Sequence, residues 1–288
     1  MITGFTDHSV VLNGIEITYS AGGDGPPLLL LHGFPQTRAM WAVIAPALAR
    51  THRVICPDLR GYGASGKPQD VADYSFRHMA ADQRALMAHL GYTRFAVAAH
   101  DRGARVAHRL CLDAPEAVRR VALLDIVPTH HLLSDLRRDV AAAYYHWFFL
   151  AQPAPLPETL IGHDPDAYFQ SCLLGWGGSN MDEFDAGQLA AYRAAWRDPE
   201  TIRGMCNDYR AALTHDFDDD AADLGAQITC PALILYGADG VMARAYDVPG
   251  IWARFCTDMQ ASAVAGGHFF VDTNPDDTLQ ALAAFLAT

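Results

Sequence analysis

A short apolar run, residues 95–99, leads straight into His100-Asp101-Arg102-Gly103-Ala104-Arg105. An acidic side chain therefore sits between two small residues, Ala99 and Gly103, where a buried strand gives way to a helix. A turn this tight needs small flanking residues. It holds its central side chain at the carboxyl end of a sheet and the amino end of a helix, where backbone amides favour negative charge. Such an Asp can simply cap the helix. It can also be a nucleophile, and two other positions favour chemistry. Asp125 closes the next expected strand, and Gly267-His268 lies near the C-terminus. The turn His32-Gly33-Phe34-Pro35 follows an earlier expected strand.

An Asp nucleophile suits attack on a saturated carbon. Attack at an acyl carbon would give a reactive anhydride, whereas attack on CH2–X gives an ordinary ester. That covalent intermediate splits one hard displacement into two steps. His268 can then activate a water against the ester carbonyl, with Asp125 holding its tautomer and stabilising the imidazolium. Arg102 and Arg105 are three residues apart and share one face of a helix start. Guanidinium forks match a carboxylate and stay charged, so the pair can hold an anionic substrate. The plainer reading of two such arginines is a solvated or ion-paired helix surface.

Composition is consistent with a local site of this kind. The chain has 288 residues, 51% hydrophobic and 19% charged, with 21 basic and 33 acidic residues, for a formal charge of -12. That excludes a disordered or collagen-like chain. An acidic surface disfavours nucleic acid as the partner, and a small anionic substrate then needs a local basic focus. The six cysteines form no C-x-x-C pair and no zinc-like cluster, so neither metal nor organic cofactor is expected. No secretory signal and no membrane span of about 20 apolar residues is read, so a soluble cytoplasmic protein is expected, with no membrane partner.

The elements that must position these residues alternate. Val10–Leu12, Asn13-Gly14 and Ile15–Tyr19 predict a β-hairpin. Buried strands are expected at Leu28–Leu31, Arg53–Cys56, Phe95–Ala99 and Val121–Leu124, with helices at Met40–Ala49, Phe76–Leu90 and Arg102–Leu112. From about 128 to about 224 the sequence is helical, aromatic and broken by prolines, with no credible strand. A strand at Ile228–Tyr236, an extended Ser262–Val264 and a helix at Thr278–Leu286 complete the chain. The expected fold is α/β: a mostly parallel sheet with helices on both faces, residues 1–128 and 225–288, interrupted by a helical cap at 129–224.

The elbow, with its nucleophile, acid and histidine in that order, resembles the α/β-hydrolases. His32-Gly-Phe-Pro-Gln-Thr37, Asp58-Leu-Arg-Gly-Tyr-Gly63, His100-Asp-Arg-Gly-Ala-Arg105, Leu124-Asp-Ile-Val-Pro-Thr129, the run Tyr145–Glu158 and Asp208-Tyr-Arg210 together resemble the fluoroacetate (haloacetate) dehalogenases. The resemblance covers nearly the whole chain. It implies an α/β-hydrolase core with a helical cap, a homodimer, and hydrolysis of short 2-haloacids to glycolate and halide. It implies Asp101 as nucleophile, His268 as base and Asp125 as its partner. It implies Arg102 and Arg105 as the carboxylate clamp, and His146, Trp147 and Tyr209 as the halide pocket. The amides of Phe34 and Arg102 would form the oxyanion hole. His146 and Trp147 are adjacent, so they can converge on one halide only near a helix end or with the site between them. Trp176 is a candidate wall of the substrate entrance.

Three features qualify the resemblance. Many relatives carry the acid after the following strand, in a Gly-x-x-Asp spacing. Here that slot is Gly240 and Asp239 falls one short, so Asp125 is the expected acid. The stretch Phe269–Pro275 is less acidic than the family's usual paired glutamates, which leaves open its effect on the pocket. An epoxide hydrolase shares the Asp-His-Asp set, but it usually has Trp after the nucleophile, where this chain has Arg102. The same residue disfavours a haloalkane dehalogenase. A chloroacetate-preferring enzyme with little defluorination and a non-catalytic ligand-binding protein also stay open at this point.

Overall fold

The computed structural model describes residues 2–175 and 179–287. Eight strands form one sheet: β1 Thr6–Leu12, β2 Ile15–Gly22, β3 Pro27–Leu31, β4 Arg53–Pro57, β5 Phe95–His100, β6 Val118–Leu124, β7 Ala232–Gly237 and β8 Met259–Val264. Their order is β1-β2-β4-β3-β5-β6-β7-β8. The first two pairings, β1 with β2 and β2 with β4, are antiparallel, and every later one is parallel. The hairpin expected at Asn13-Gly14 is present, with both residues at positive φ (51° and 79°), as a two-residue β-turn of this hand requires.

Strand β5 lies in the middle of the sheet and is buried along its whole length. Leu28, Leu29, Leu30 and Leu31 of β3 on one side and Val121 to Leu124 of β6 on the other are also buried. Continuous apolar strands of this kind are what a parallel sheet covered on both faces needs.

Between β6 and β7 all regular structure among the described residues is helical. This segment is stitched to the sheet and its loops by polar contacts. Gln188 Nε2 donates to the Met40 carbonyl at 2.7 Å, and Arg203 Nη1 donates to the Pro68 carbonyl at 2.7 Å. No helix among the described residues is long and apolar enough to cross a membrane, and no group of three or more His, Cys, Asp or Glu residues there could hold a metal ion.

Three expectations need correction, and proline explains each. The helix expected over Met40–Ala49 is a 3-10 turn at Arg38–Trp41 followed by a four-residue helix, Ala45–Leu48. Pro46 cannot sit inside a continuous helix, but it fits the first turn of a new one. The strand expected at Ile228–Tyr236 shrinks to β7, because Pro231 has no N–H for the ladder and leaves Ile228 as an isolated bridge to Cys256. The last helix starts earlier than expected, at Pro275, with the Asn274 side chain capping Asp277. Trp176 lies outside the described residues.

Candidate active site

The helix Asp101–Asp113 follows β5 with no intervening residue, and Asp101 makes the turn at φ 45°. A non-glycine residue in this left-handed region is strained, and the surroundings must enforce it. They do so by close approach. A Cβ at Gly103 would stand 2.5 Å from the His32 carbonyl oxygen, and one at Gly33 would stand 2.7 Å from the Asp101 Cβ. The Gly103 amide donates to the His32 carbonyl at 3.0 Å, locking the elbow against the loop after β3. Asp101 is thereby held where the Phe34 amide donates to its Oδ2 at 3.0 Å. Arg102, whose amide is the other expected oxyanion donor, lies in the first turn of the same helix.

His268 and Asp125 come to this point from the ends of neighbouring strands. Asp125 directly follows β6 and also has positive φ, 55°. Its Oδ1 accepts from the Gly237 amide at 2.8 Å, and its Oδ2 lies 2.6 Å from His268 Nδ1. The other ring nitrogen, Nε2, lies 3.9 Å from Asp101 Oδ1. Asp239, one residue short of the alternative acid slot, is exposed; its carboxylate accepts from the Gly266 amide at 3.2 Å, away from the histidine ring. His100, to which the sequence pattern assigns no role, lies 2.8 Å through Nε2 from the His268 carbonyl, a contact that anchors the backbone beneath the imidazole.

All three side chains are buried, so their charges act at short range in a medium of low polarity. Burial opposes the Asp101 carboxylate, but the charges of His268, His100, Arg102 and Arg105 outweigh it and hold the acid down to about 2. Burial likewise opposes a charged His268. The Asp125 hydrogen bond and charge, with help from Asp101, overcome it and raise the imidazole above its ordinary value.

The two arginines sit together as expected, but not as two open forks. The Arg102 side chain is fully buried and forms an ion pair with Asp208, on the helix Pro199–Ala211. Nε donates to Asp208 Oδ2 at 2.9 Å, and Nη2 donates to Oδ1 and to the Asp208 carbonyl. The rings of Tyr209 and Phe76 lie 4.4 Å and 4.5 Å from its guanidinium carbon. Arg105 Nη1 donates to the Val127 carbonyl and to Thr129 Oγ1, both at 3.0 Å, and its guanidinium carbon is 4.7 Å from the Trp147 ring centre. Among the described residues, Arg102 Nη1 and Arg105 Nε are buried donors without a partner. Burial pulls Arg105 down to about 10, still cationic at neutral pH. Asp208 belongs to one of the resembling motifs, but nothing in the sequence pairs it with Arg102.

His146 and Trp147 occupy the start of a short helix, Tyr145–Leu150, so adjacent residues can converge there. Tyr209 lies between them, with ring centres 5.5 Å from His146 and 5.3 Å from Trp147. Phe34 closes the group, 5.9 Å from His146 and 5.1 Å from Tyr209. Tyr209 Oη is buried with no partner among the described residues. Burial drives His146 well below its ordinary value, which leaves the ring neutral at neutral pH. Three neutral, buried groups therefore share one corner near the carboxylate.

Residues 26–275 match the family model of the alpha/beta hydrolase fold, and the chain belongs to that family. It is 50% identical to a fluoroacetate dehalogenase from Burkholderia sp, over 100% of this chain and 95% of the relative. A soluble epoxide hydrolase from Corynebacterium sp. (strain C12) is 32% identical over 100% of this chain and 99% of its own length. The crystal structure of ALR0039 from Nostoc sp PCC 7120 superposes with a TM-score of 0.97 at 45% identity, covering 99% of each chain.

Proposed function

We propose that this protein hydrolyses short 2-haloacids, such as fluoroacetate or chloroacetate, to glycolate and halide. The observation that carries the proposal is the placing of two buried arginines beside an ionised aspartate that faces a histidine. The 50% identity to a fluoroacetate dehalogenase supports the same reading.

In this reading the substrate carboxylate takes the donors left open on Arg102 and Arg105. This places the CH2–X carbon against Asp101. The carboxylate displaces halide, which leaves toward His146, Trp147 and Tyr209, where neutral donors stabilise the charge as it develops. The product of this step is an Asp101 ester. His268 then removes a proton from a water that attacks the ester carbonyl; the Phe34 amide, already within 3.0 Å of an Asp101 oxygen, stabilises the oxyanion. As the intermediate collapses, His268 returns that proton to the departing alkoxide and glycolate is released, and the Asp101 acid loses the second water proton to regain its carboxylate.

The second reading is an epoxide hydrolase, favoured by the 32% identity to one and by the same Asp-His-Asp set. It gives the buried arginines no substrate charge to meet. Halide release from fluoroacetate and chloroacetate, with Asp101→Asn as control, separates the readings. Fluoride release lost in the variant supports defluorination. Chloride release alone supports a chloroacetate-preferring enzyme. No halide from either overturns the proposal, and turnover of a small epoxide would then favour the epoxide reading.

A further inference from the structure

Arg102 is held unusually tightly for a side chain expected to bind substrate. Asp208 is fully buried, and its carboxylate takes Nε and Nη2 of Arg102 along one edge. Tyr62, from the loop between β4 and the next helix, donates to Asp208 Oδ2 at 2.6 Å. Rings of Phe76 and Tyr209 lie against the guanidinium, and Trp147 is 5.0 Å away. An arginine gripped along one edge and between rings cannot turn its fork. The nitrogen it has left is Nη1, buried and without a partner among the described residues.

A buried ion pair is weak evidence of stability, because desolvating both charges costs about as much as their attraction returns. Here the pair joins the first turn of the elbow helix to a helix of the segment between β6 and β7. We propose that Asp208 is a positioning residue for substrate recognition: it fixes the Arg102 guanidinium so that Nη1 alone meets the substrate carboxylate. The inference rests on the 2-haloacid reading above. It adds a residue that touches no substrate and that makes the carboxylate site depend on the seating of the helical segment.

The consequence is a particular kinetic signature. Arg102 would hold the carboxylate equally in the bound substrate and in the transition state, since that group does not react. Losing its orientation therefore weakens uniform binding, which raises KM and leaves kcat nearly unchanged.

The test is steady-state chloride release from chloroacetate by the wild type, Asp208→Asn, Arg102→Gln and the double variant, with thermal melts to verify folding. Asp208→Asn is expected to raise KM by about tenfold with kcat within about threefold, the pattern of lost uniform binding. In the Arg102→Gln background the same change is expected to alter kcat/KM by less than about twofold, because the two residues act as one unit. Tyr62→Phe should shift KM in the same direction by less, and it carries the test should Asp208→Asn fail to fold. Equal losses in both backgrounds, a fall in kcat at unchanged KM, or no effect would each overturn the inference. A wild type that releases no halide removes the 2-haloacid reading and this inference with it. Release by the wild type together with additive variants removes only the role of Asp208.

Discussion

His268 is asymmetric in its contacts: Nδ1 lies 2.6 Å from Asp125 Oδ2, whereas Nε2 stands 3.9 Å from Asp101 Oδ1. The short contact favours the tautomer with the proton on Nδ1, which in the proposed mechanism leaves Nε2 to act as the base. The longer one is beyond direct hydrogen-bond range, so Nε2 is not tied to the Asp101 carboxylate. Replacing His268 should therefore stop the second step and spare the first. His268→Gln is expected to release about one halide per enzyme and then stall, because the ester persists. Intact-mass and peptide analysis should find a carboxymethyl group on Asp101. Steady turnover, or an unmodified enzyme after the burst, would remove His268 from ester hydrolysis.

The pH profile follows from the same contacts. A base works when neutral, so activity should rise as pH passes upward through the His268 pKa. That pKa is raised above its ordinary 6.5 by Asp125 against the opposing effect of burial. Asp101, held down to about 2, stays ionised throughout and adds no limb near neutrality. Asp125→Asn removes the raising contact and offers Nδ1 the wrong partner. The limb should move to lower pH, and the plateau rate should fall by up to about 10⁴-fold. A limb left in place would mean that another group controls it.

Much of this site is legible in the sequence because its parts are local. The elbow announces itself through the small residues Ala99 and Gly103, and at Gly103 the 2.5 Å approach of a Cβ to the His32 carbonyl shows why no larger residue fits. Spacing also separates Asp125 from Asp239, and the structure puts only Asp125 on the His268 ring. Pairings across the insertion are not legible. Asp208 meets Arg102 across 106 positions, and no periodicity links them. The helix expected through Pro46 fails because apolar spacing carries no sign of the missing N–H.

Asp272, four residues beyond His268, accepts from Gln36 Nε2 at 2.5 Å and from Tyr192 Oη at 2.7 Å. Burial raises its acid to about 7, against the lowering effects of Tyr192, Gln36 and His268. An unfolded Asp loses its proton near a pKa of about 3.9, so between there and about 7 the folded state holds a proton that the unfolded state has lost. Stability from this group is complete below the lower value and declines as pH rises through the window. Asp272→Asn cannot ionise, and its amide can donate to Gln36 Oε1, a buried oxygen without a partner among the described residues. Its melting temperature should fall less than that of the wild type between about pH 5 and about pH 7.5. Parallel slopes would assign the pH dependence elsewhere.

Tyr209 offers the sharpest test of the proposed halide corner. Its hydroxyl is buried without a partner among the described residues, and its ring lies within 5.5 Å of both His146 and Trp147. Fluoride concentrates its charge more than chloride and gains more from each donor as the C–X bond breaks. Removing one donor aimed at developing charge costs about 10²–10³ in rate where that donor is essential, and less where neighbours share the load. Tyr209→Phe keeps the ring and the packing and deletes only the hydroxyl. Fluoride release is expected to fall by about tenfold or more, and chloride release by several-fold less, as differential stabilisation of the two leaving groups requires. The readout is the ratio of the two rates in one preparation, which cancels differences in active enzyme. Equal losses on both substrates would make Tyr209 a packing residue, and an unchanged ratio at full activity would place the departing halide elsewhere.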